Sequence, residues 1–457
     1  MMKFNKLEIF LNTKLWCLAI IVLLLVVSTN NIACRSSVNT LGKSNELTLW
    51  VTYNPQEYDV FKNIAEDFEK DYYKKHGRAL HLNLQRIPYD GLMPRLKYAC
   101  LATATPDICR IDNAWPLTLA YGKSIVALDT LPNFNTTIEN LAQEYVPAAI
   151  ESNIVETKAD NGNWEKHLYG IPDQTNCVAL FWNKELFRQS ATELRRVGLD
   201  PDRAPRDWGE FVKYAQVLTI KDKKQYGFGM FNSLWWSMPF FNTFGTEFVK
   251  KNSDGKYVCT LDEPAGQQAL QFMTDLYKKY GVEAGAWRTG SINPEQGFLN
   301  GKYAMILSGP WNLKRFSNID FGLSLVPAGP AGTSSNVGGQ NLVVFKTCKN
   351  KEAALDFLRY FSSEEIQIRW SESLGQIPVN IRAFDKIDLS QRPQLGVFME
   401  QMKTARPSPK IPRMDVLEEK VMGPALQLAM QGDKTVEQAL KDSANEINKD
   451  FLSLLNK

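Results

Sequence analysis

Apolar positions along the chain recur with two periods, and the period switches from segment to segment. Residues 46–52 (ELTLWVT) alternate every second position and predict a strand. Over 58–75, Val60, Phe61, Ile64, Ala65 and Phe68 return at helical spacing, which predicts an amphipathic helix. A strand is predicted over 80–84, a helix over 89–102, a third strand over 106–111, and another helix from Trp115. That βαβαβα order predicts an α/β fold with a parallel sheet and right-handed crossovers. Ligands in such sheets sit beyond the carboxyl ends of the strands, which marks Tyr53-Asn54 and Asp112-Asn113.

A second block begins near Tyr169. It has a predicted strand over 177–182, helices over 208–218 and 264–280, and a strand over 303–307. A strand-helix unit over 338–361 follows, and 416–455 reads as helical and amphipathic. The Gly/Ser-rich stretch 328–339 reads as a loop, and no internal repeat is found.

The first 33 residues read as a leader. Lys3, Lys6 and Lys14 precede an uncharged run over 15–27, thirteen residues long, whereas a membrane-crossing helix needs about 20. Cleavage is expected between Ala33 and Cys34, in the string Asn31-Ile32-Ala33-Cys34. That string resembles a bacterial lipobox, with Asn31 where the pattern prefers Leu, and it implies that Cys34 carries a lipid. Ordinary cleavage leaving an incidental thiol is the alternative. Residues 34–45 then read as a tether.

Composition excludes more than it selects. The 457 residues suit two or three domains, and 44% hydrophobic with 23% charged residues is ordinary for a globular protein. A net charge of +3 gives no reason to expect a nucleic-acid partner, and it falls to +1 once the leader's three Lys and one Glu are removed. Three histidines (His76, His81, His167) offer no pair at metal-ligand spacing, so neither a metal nor another cofactor is expected. Beyond Cys34 lie Cys100, Cys109, Cys177, Cys259 and Cys348, an odd number. Cys177 and Cys348 fall in apolar runs that favour inert buried thiols, while Cys100 and Cys109 can bridge if a helix end meets the next strand.

Enzyme signatures mostly fail. Gly42-Lys43-Ser44 and Gly122-Lys123-Ser124 carry the tail of a phosphate loop, but Ser37 and Leu117 stand where its first glycine belongs. Gly227-Phe-Gly229 lacks a third glycine, and no GxSxG elbow exists. Fifty acids always contain some glycosidase-like pair, so acids decide nothing. The distinctive residues are tryptophans: Trp115, Trp164, Trp235, Trp236, Trp287 and Trp311 fall in or beside predicted loops and helix starts, whereas Trp50 and Trp182 lie inside strands and read as core. An indole face suits the apolar face of a sugar ring, with Asp, Asn and Gln serving its hydroxyls.

Ordered motifs then carry a resemblance. They run Pro106-Asp-Ile-x-x-x-Asp112-x-x-Trp115, Tyr169-Gly-Ile-Pro172, Trp182-Asn-Lys184, Trp208-x-Glu-Phe211, Phe298-x-x-Gly301-Lys, Met305-x-x-x-Gly309-Pro-Trp311 and Gly338-Gly-Gln340. In this order the chain resembles the extracellular solute-binding proteins of carbohydrate importers of the ATP-binding-cassette class, of maltose and trehalose type. The resemblance implies a type II periplasmic-binding-protein-like α/β fold of two lobes with the ligand cleft between them. Lobe one is expected to take 46–172 and 337–382, and lobe two 173–336 and 383–457. It makes Trp311 the stacking residue of the Gly-Pro-Trp motif, Trp235 a second stacking aromatic with Trp236 beside it, and Asp112 with Trp115 an acid and aromatic of the trehalose-type loop. Gln174 and Asn176 fall by the first crossing strand, where maltose-type proteins place an acid. Gly339, Gln340 and Gln376 are further expected contacts. Glu418 stands about where the maltose type has another stacking Trp, which favours a mono- or disaccharide or a polyol over a long glucan.

The resemblance further implies closure around the ligand, docking on a membrane permease, no enzymatic activity and a single chain held to the membrane at the cell envelope through its lipid. Other readings stay open: a different solute such as a glycerol-phosphate diester or peptide, for which Arg110, Arg288 and Arg413 leave a cationic pocket available, a secreted glycan hydrolase, or an envelope lipoprotein that transports nothing.

Overall fold

Strand β1 (Glu46–Val51) places Leu47, Leu49 and Val51 on one face and Trp50 on the other, and both faces are covered. The computed structural model that shows this describes residues 45–158 and 162–456. The leader, Cys34 and nearly all of the tether lie outside the described residues. After β1, Asn54 caps the helix Pro55–His76: its Oδ1 accepts the Glu57 N–H while Glu57 Oε2 accepts the Asn54 N–H. The cap starts the helix three residues before the apolar periodicity does, and Gly77, at φ 65°, ends it. Its buried stripe of Phe61, Ile64, Ala65, Phe68 and Tyr72 packs on the leucine face of β1.

Strands β2 (His81–Arg86) and β3 (Ile108–Asp112) both pair with β1 in parallel, with the helix Tyr89–Leu101 between them in the chain. A separate hairpin, β4 (Ile154–Lys158) with β5 (Trp164–Leu168), carries Trp164 at the surface. Next comes β6 (Gly170–Cys177), a strand the sequence pattern does not announce: all eight residues are buried, so no alternation marks it, and Pro172 argues against a strand.

The second sheet has the order β12-β7-β11-β8, built from β7 (Ala179–Asn183), β8 (Tyr226–Gly229), β11 (Tyr303–Ser308) and β12 (Phe321–Ser324). A small hairpin of β9 (Val249–Lys251) and β10 (Tyr257–Cys259) stands apart. One core of this half gathers Phe211, Phe228, Phe240, Met305, Leu426 and Leu440, which draws in the C-terminal helices Gly423–Gln431 and Val436–Glu446. Another gathers Phe181, Phe298, Phe316 and Phe398.

Strand β13 (Asn336–Val344) returns to the first sheet, running antiparallel between β3 and β6 and giving the order β14-β13-β3-β1-β2, with β14 at Arg406–Pro407. The following helices, Lys351–Phe361 and Glu364–Leu374, bring Phe357, Phe361 and Trp370 onto Phe61 and Tyr53. The register sets Asp112, Gln340 and Gln174 side by side across β3, β13 and β6, with Gly338 beside Asn176. Cys100 and Cys109 are both free thiols, so the bridge considered for them is not formed; Cys109, Cys177, Cys259 and Cys348 are all buried. Among the described residues no helix is long and apolar enough to cross a membrane.

Candidate ligand-binding cleft

Between the two sheets opens a cleft of about 960 Å³. Its floor is made where β3, β6 and β13 meet. There Arg110, only 3% exposed, gathers three strands: Nε donates to Asp173 Oδ2 at 2.6 Å, Nη1 to Thr52 Oγ1 at 2.9 Å, and Nη2 to Gln174 Oε1 at 2.8 Å and Gln340 Oε1 at 2.6 Å. Its guanidinium also lies 4.1 Å above the Tyr53 ring. Burial alone would lower the Arg110 pKa, but the Asp173 charge, with Tyr53 and Glu57, outweighs it and holds the group above its ordinary value. Gln174 and Gln340 thus reach the cleft with their carbonyl oxygens already fixed.

Two glycines shape the same floor. A Cβ on Gly338 would stand 2.4 Å from Asn176 Oδ1 and 2.7 Å from the Trp235 ring, so only glycine lets both side chains close over the strand. Gly339, at φ 137°, has backbone only glycine adopts readily, and it lines the cleft beside Gln174. Asn176 lines the cleft too; its Oδ1 has no hydrogen-bond partner in the protein.

One wall is aromatic. Ser233 caps the helix Leu234–Thr243, whose first turn presents Trp235 and Trp236. Their rings meet edge-on at 4.9 Å, and Trp311 lies 6.2 Å from the first and 6.0 Å from the second. All three are half-buried and line the cleft, with Phe231 stacked on Trp236 at 4.0 Å. Trp311 folds back over Gly309 and donates from Nε1 to Glu295 Oε1 at 3.0 Å. Asn336 Nδ2 donates to the Trp235 carbonyl, tying this wall to β13. Glu418 sits at the same helix start, both its oxygens accepting the Leu234 N–H at 2.8 and 3.0 Å. Burial pushes its pKa up to about 7.

The opposite wall comes from the first sheet. Asp112 accepts from the Tyr89 hydroxyl at 2.6 Å and from the Ala114 N–H at 2.9 Å, and burial raises its pKa. Tyr89 stacks near Trp115, which is 8% exposed and lines the cleft from a mostly core position. Asn54 lines it from the helix cap.

Two expected contacts do not reach the cleft. Tyr53 is 1% exposed; its ring packs on Phe61 and Trp370 and its hydroxyl donates to Asp173. Gln376 is likewise 1% exposed and donates to Glu57 Oε1 from behind the wall. Tyr53 is expected from its place at a strand end and Gln376 from the resemblance; an apolar shell buries Tyr53, while Gln376 is buried with Glu57 and Ser371 as its partners. Trp287 is core as well, and Arg288 and Arg413 lie outside the lining, stacked on Tyr277 and Phe451. Tyr89, Glu295 and Asp415, which the sequence reading missed, line the cleft; each becomes visible only when helices distant in the chain come together.

With this geometry in view, comparison with known proteins is informative. The model of the bacterial extracellular solute-binding proteins matches residues 54–368. The chain belongs to that family. A galactooligosaccharide-binding protein of Bacillus subtilis is 24% identical over 93% of this chain and 95% of its own. The GacH receptor of Streptomyces glaucescens, solved unliganded and with acarbose, superposes with TM-score 0.73 at 23% identity, covering 88% of this chain and 97% of that one. A solute-binding protein of Thermotoga lettingae bound to α-D-tagatose gives TM-score 0.72 at 25% identity, over 89% and 99%. The resemblance read from the ordered motifs therefore stands, as does the two-lobed type II fold.

Proposed function

We propose that this solute-binding protein captures a short saccharide or polyol by closing its lobes on it. The observation that carries this reading is the cluster of three half-buried tryptophans facing fixed polar groups across one cleft. Indole faces take the C–H faces of a sugar ring, while Gln174, Gln340, Asn176 and Asp112 take its hydroxyls. Asn54, Trp115, Gly339 and Glu418 complete the contact set. The names of the relatives, which bind galactooligosaccharides and maltotriose, support a carbohydrate. Relatives that bind sn-glycerol-3-phosphate also exist, but among the described residues the cleft offers no unpaired cation for a phosphate: Arg110 is paired with Asp173 and has four of its five N–H donors engaged, and Lys97 is paired with Asp415.

Lobes of 46–172 with 337–382 and of 173–336 with 383–457 move as bodies about the paired strands β6 and β13. The loaded form delivers its sugar to a membrane permease, and a lipid on Cys34 keeps a single chain at the envelope after export. No chemical step is assigned to it. Thermal-shift screening against saccharides and polyols, followed by calorimetry, tests the reading. A melting point raised by one sugar class, with unchanged sugar after incubation, supports it. A ligand that is hydrolysed, or no shift with any saccharide at millimolar concentration, removes it.

A further inference from the structure

The charge of the cleft is one-sided. Seven carboxylates line it against two cations, Lys97 and Arg110. Both cations are spent: Arg110 faces Asp173, and Lys97 faces Asp415 at 2.6 Å. Glu295 and Glu419 find partners at the rim in Arg315 and Lys420. Glu57, Asp90, Asp112 and Glu418 form no ion pair with any described residue. Asp90 is exposed, and Glu57 has one oxygen on the Asn54 N–H and the other on Gln376. That leaves Asp112 on one wall and Glu418 on the other, each with lone pairs to spare after its present hydrogen bonds.

Burial holds Asp112 and Glu418 above their ordinary pKa, Glu418 at about 7. The negative field that low-dielectric walls focus into the cleft is therefore full only above that value, or once a cation binds beside the two groups and keeps them ionised. A neutral sugar can hydrogen-bond to them but does nothing for their charge. An ammonium group does both, and the faces of Trp235, Trp236 and Trp311 add attraction for a cation. Resting on the carbohydrate reading above, we propose that the cleft selects a sugar bearing a protonated amine, which takes its countercharge from Asp112 and Glu418. The same field works against phosphorylated and carboxylated sugars.

The test holds the ring constant and changes one substituent. Calorimetry of the full chain near neutral pH would compare glucosamine, galactosamine and mannosamine with their N-acetylated forms and with glucose, galactose and mannose. The same comparison would be made for chitosan disaccharide, its N-acetylated counterpart and cellobiose. At least one amine is expected to bind about tenfold or more tightly than both its neutral partners. That advantage should shrink as salt is raised from about 20 to 500 mM, because screening weakens the charged contact. In Asp112→Asn and in Glu418→Gln the amine-to-neutral ratio should fall toward one. Salt dependence in the unmutated chain keeps the test decisive should either variant fold poorly. Equal affinity for amine and neutral partners, or a preference that both variants retain, overturns the amine inference and leaves the carbohydrate reading standing. Failure of every saccharide, charged and neutral, overturns both.

Discussion

Lys97 and Asp415 face each other across the cleft, Nζ to Oδ2 at 2.6 Å, one from the helix Tyr89–Leu101 and the other from Met414–Leu417. Lys410 to Glu151 at 3.1 Å and the Arg413 N–H to Thr118 Oγ1 at 3.1 Å join the same two stretches of chain. On the lobe division proposed above, Lys97 and Asp415 are therefore one part of a clasp. Lys97 is nearly half exposed, which puts the contact in the range of about 0.2–1 kcal/mol. Lys97→Ala or Asp415→Asn should therefore loosen closure without unfolding either lobe. The expected result is a larger radius of gyration without ligand by small-angle scattering, and affinity reduced by up to about fivefold. An unchanged radius in both variants would show that this pair holds nothing.

The tryptophan wall separates stability from binding. A wholly buried Trp cut to Ala costs about 3–5 kcal/mol. Trp235 and Trp311 are only half-buried, so Trp235→Ala and Trp311→Ala should melt close to the parent protein. Binding should weaken by about 1–3 kcal/mol, the scale of aromatic stacking on flat ligands. Trp311→Phe should sit between, keeping a ring but losing the bond to Glu295. Early melting with unchanged affinity in both alanine variants would return these residues to the core.

Removal of Arg110 is expected to behave in the opposite way. Asp173 is 0% exposed and would be left buried without a countercharge. Arg110→Ala should cost about 3–5 kcal/mol in denaturant unfolding, whereas a double variant replacing Asp173 with Asn as well should recover part of it. Additive losses in that cycle would mean that the pair is not coupled.

Acid should stabilise one loop. Glu283, 2% exposed, accepts from the Met230, Gly285 and Ala286 N–H groups, yet burial still pushes its pKa up to about 7. A carboxyl with a raised native pKa binds its proton more tightly when folded, so stability falls as pH rises from about 4.5 to 7. Glu418 acts in the same direction over the same window. Glu283→Gln should flatten the pH dependence of melting between those limits, measured by calorimetry across buffers. A slope left untouched would place the titration elsewhere.

What the sequence could reveal divides along physical lines. Strands and helices with one buried face, such as Glu46–Val51 and Tyr89–Leu101, announce themselves by period. Strand β6 does not, being buried on both faces. Trp311 has no period to announce it and is legible only through the Gly-Pro-Trp motif, in which Gly309 leaves room for its ring. Tyr53 misled because strand ends point toward a cleft on average, and Gln376 because the resemblance suggested it, whereas their own neighbours are Phe61, Trp370 and Glu57. The clasp of Lys97 on Asp415 joins residues so far apart in the chain that no local pattern connects them.

The place of β13 also bears on how such a chain comes to be folded. The strand sits in the middle of the first sheet, yet it is made only after all four strands of the second. Until residue 344 has been synthesised, β3 has one edge bare, and β6 lacks the neighbour it pairs with along nearly its whole length. Pairing across so long a separation is slow, because the intervening chain must be gathered before any contact rewards it. The amino-terminal half is thus held back from completion while the rest emerges. An exported chain gains time from this delay, since a polypeptide still short of its central strand can be threaded through a narrow pore and one with a finished sheet cannot.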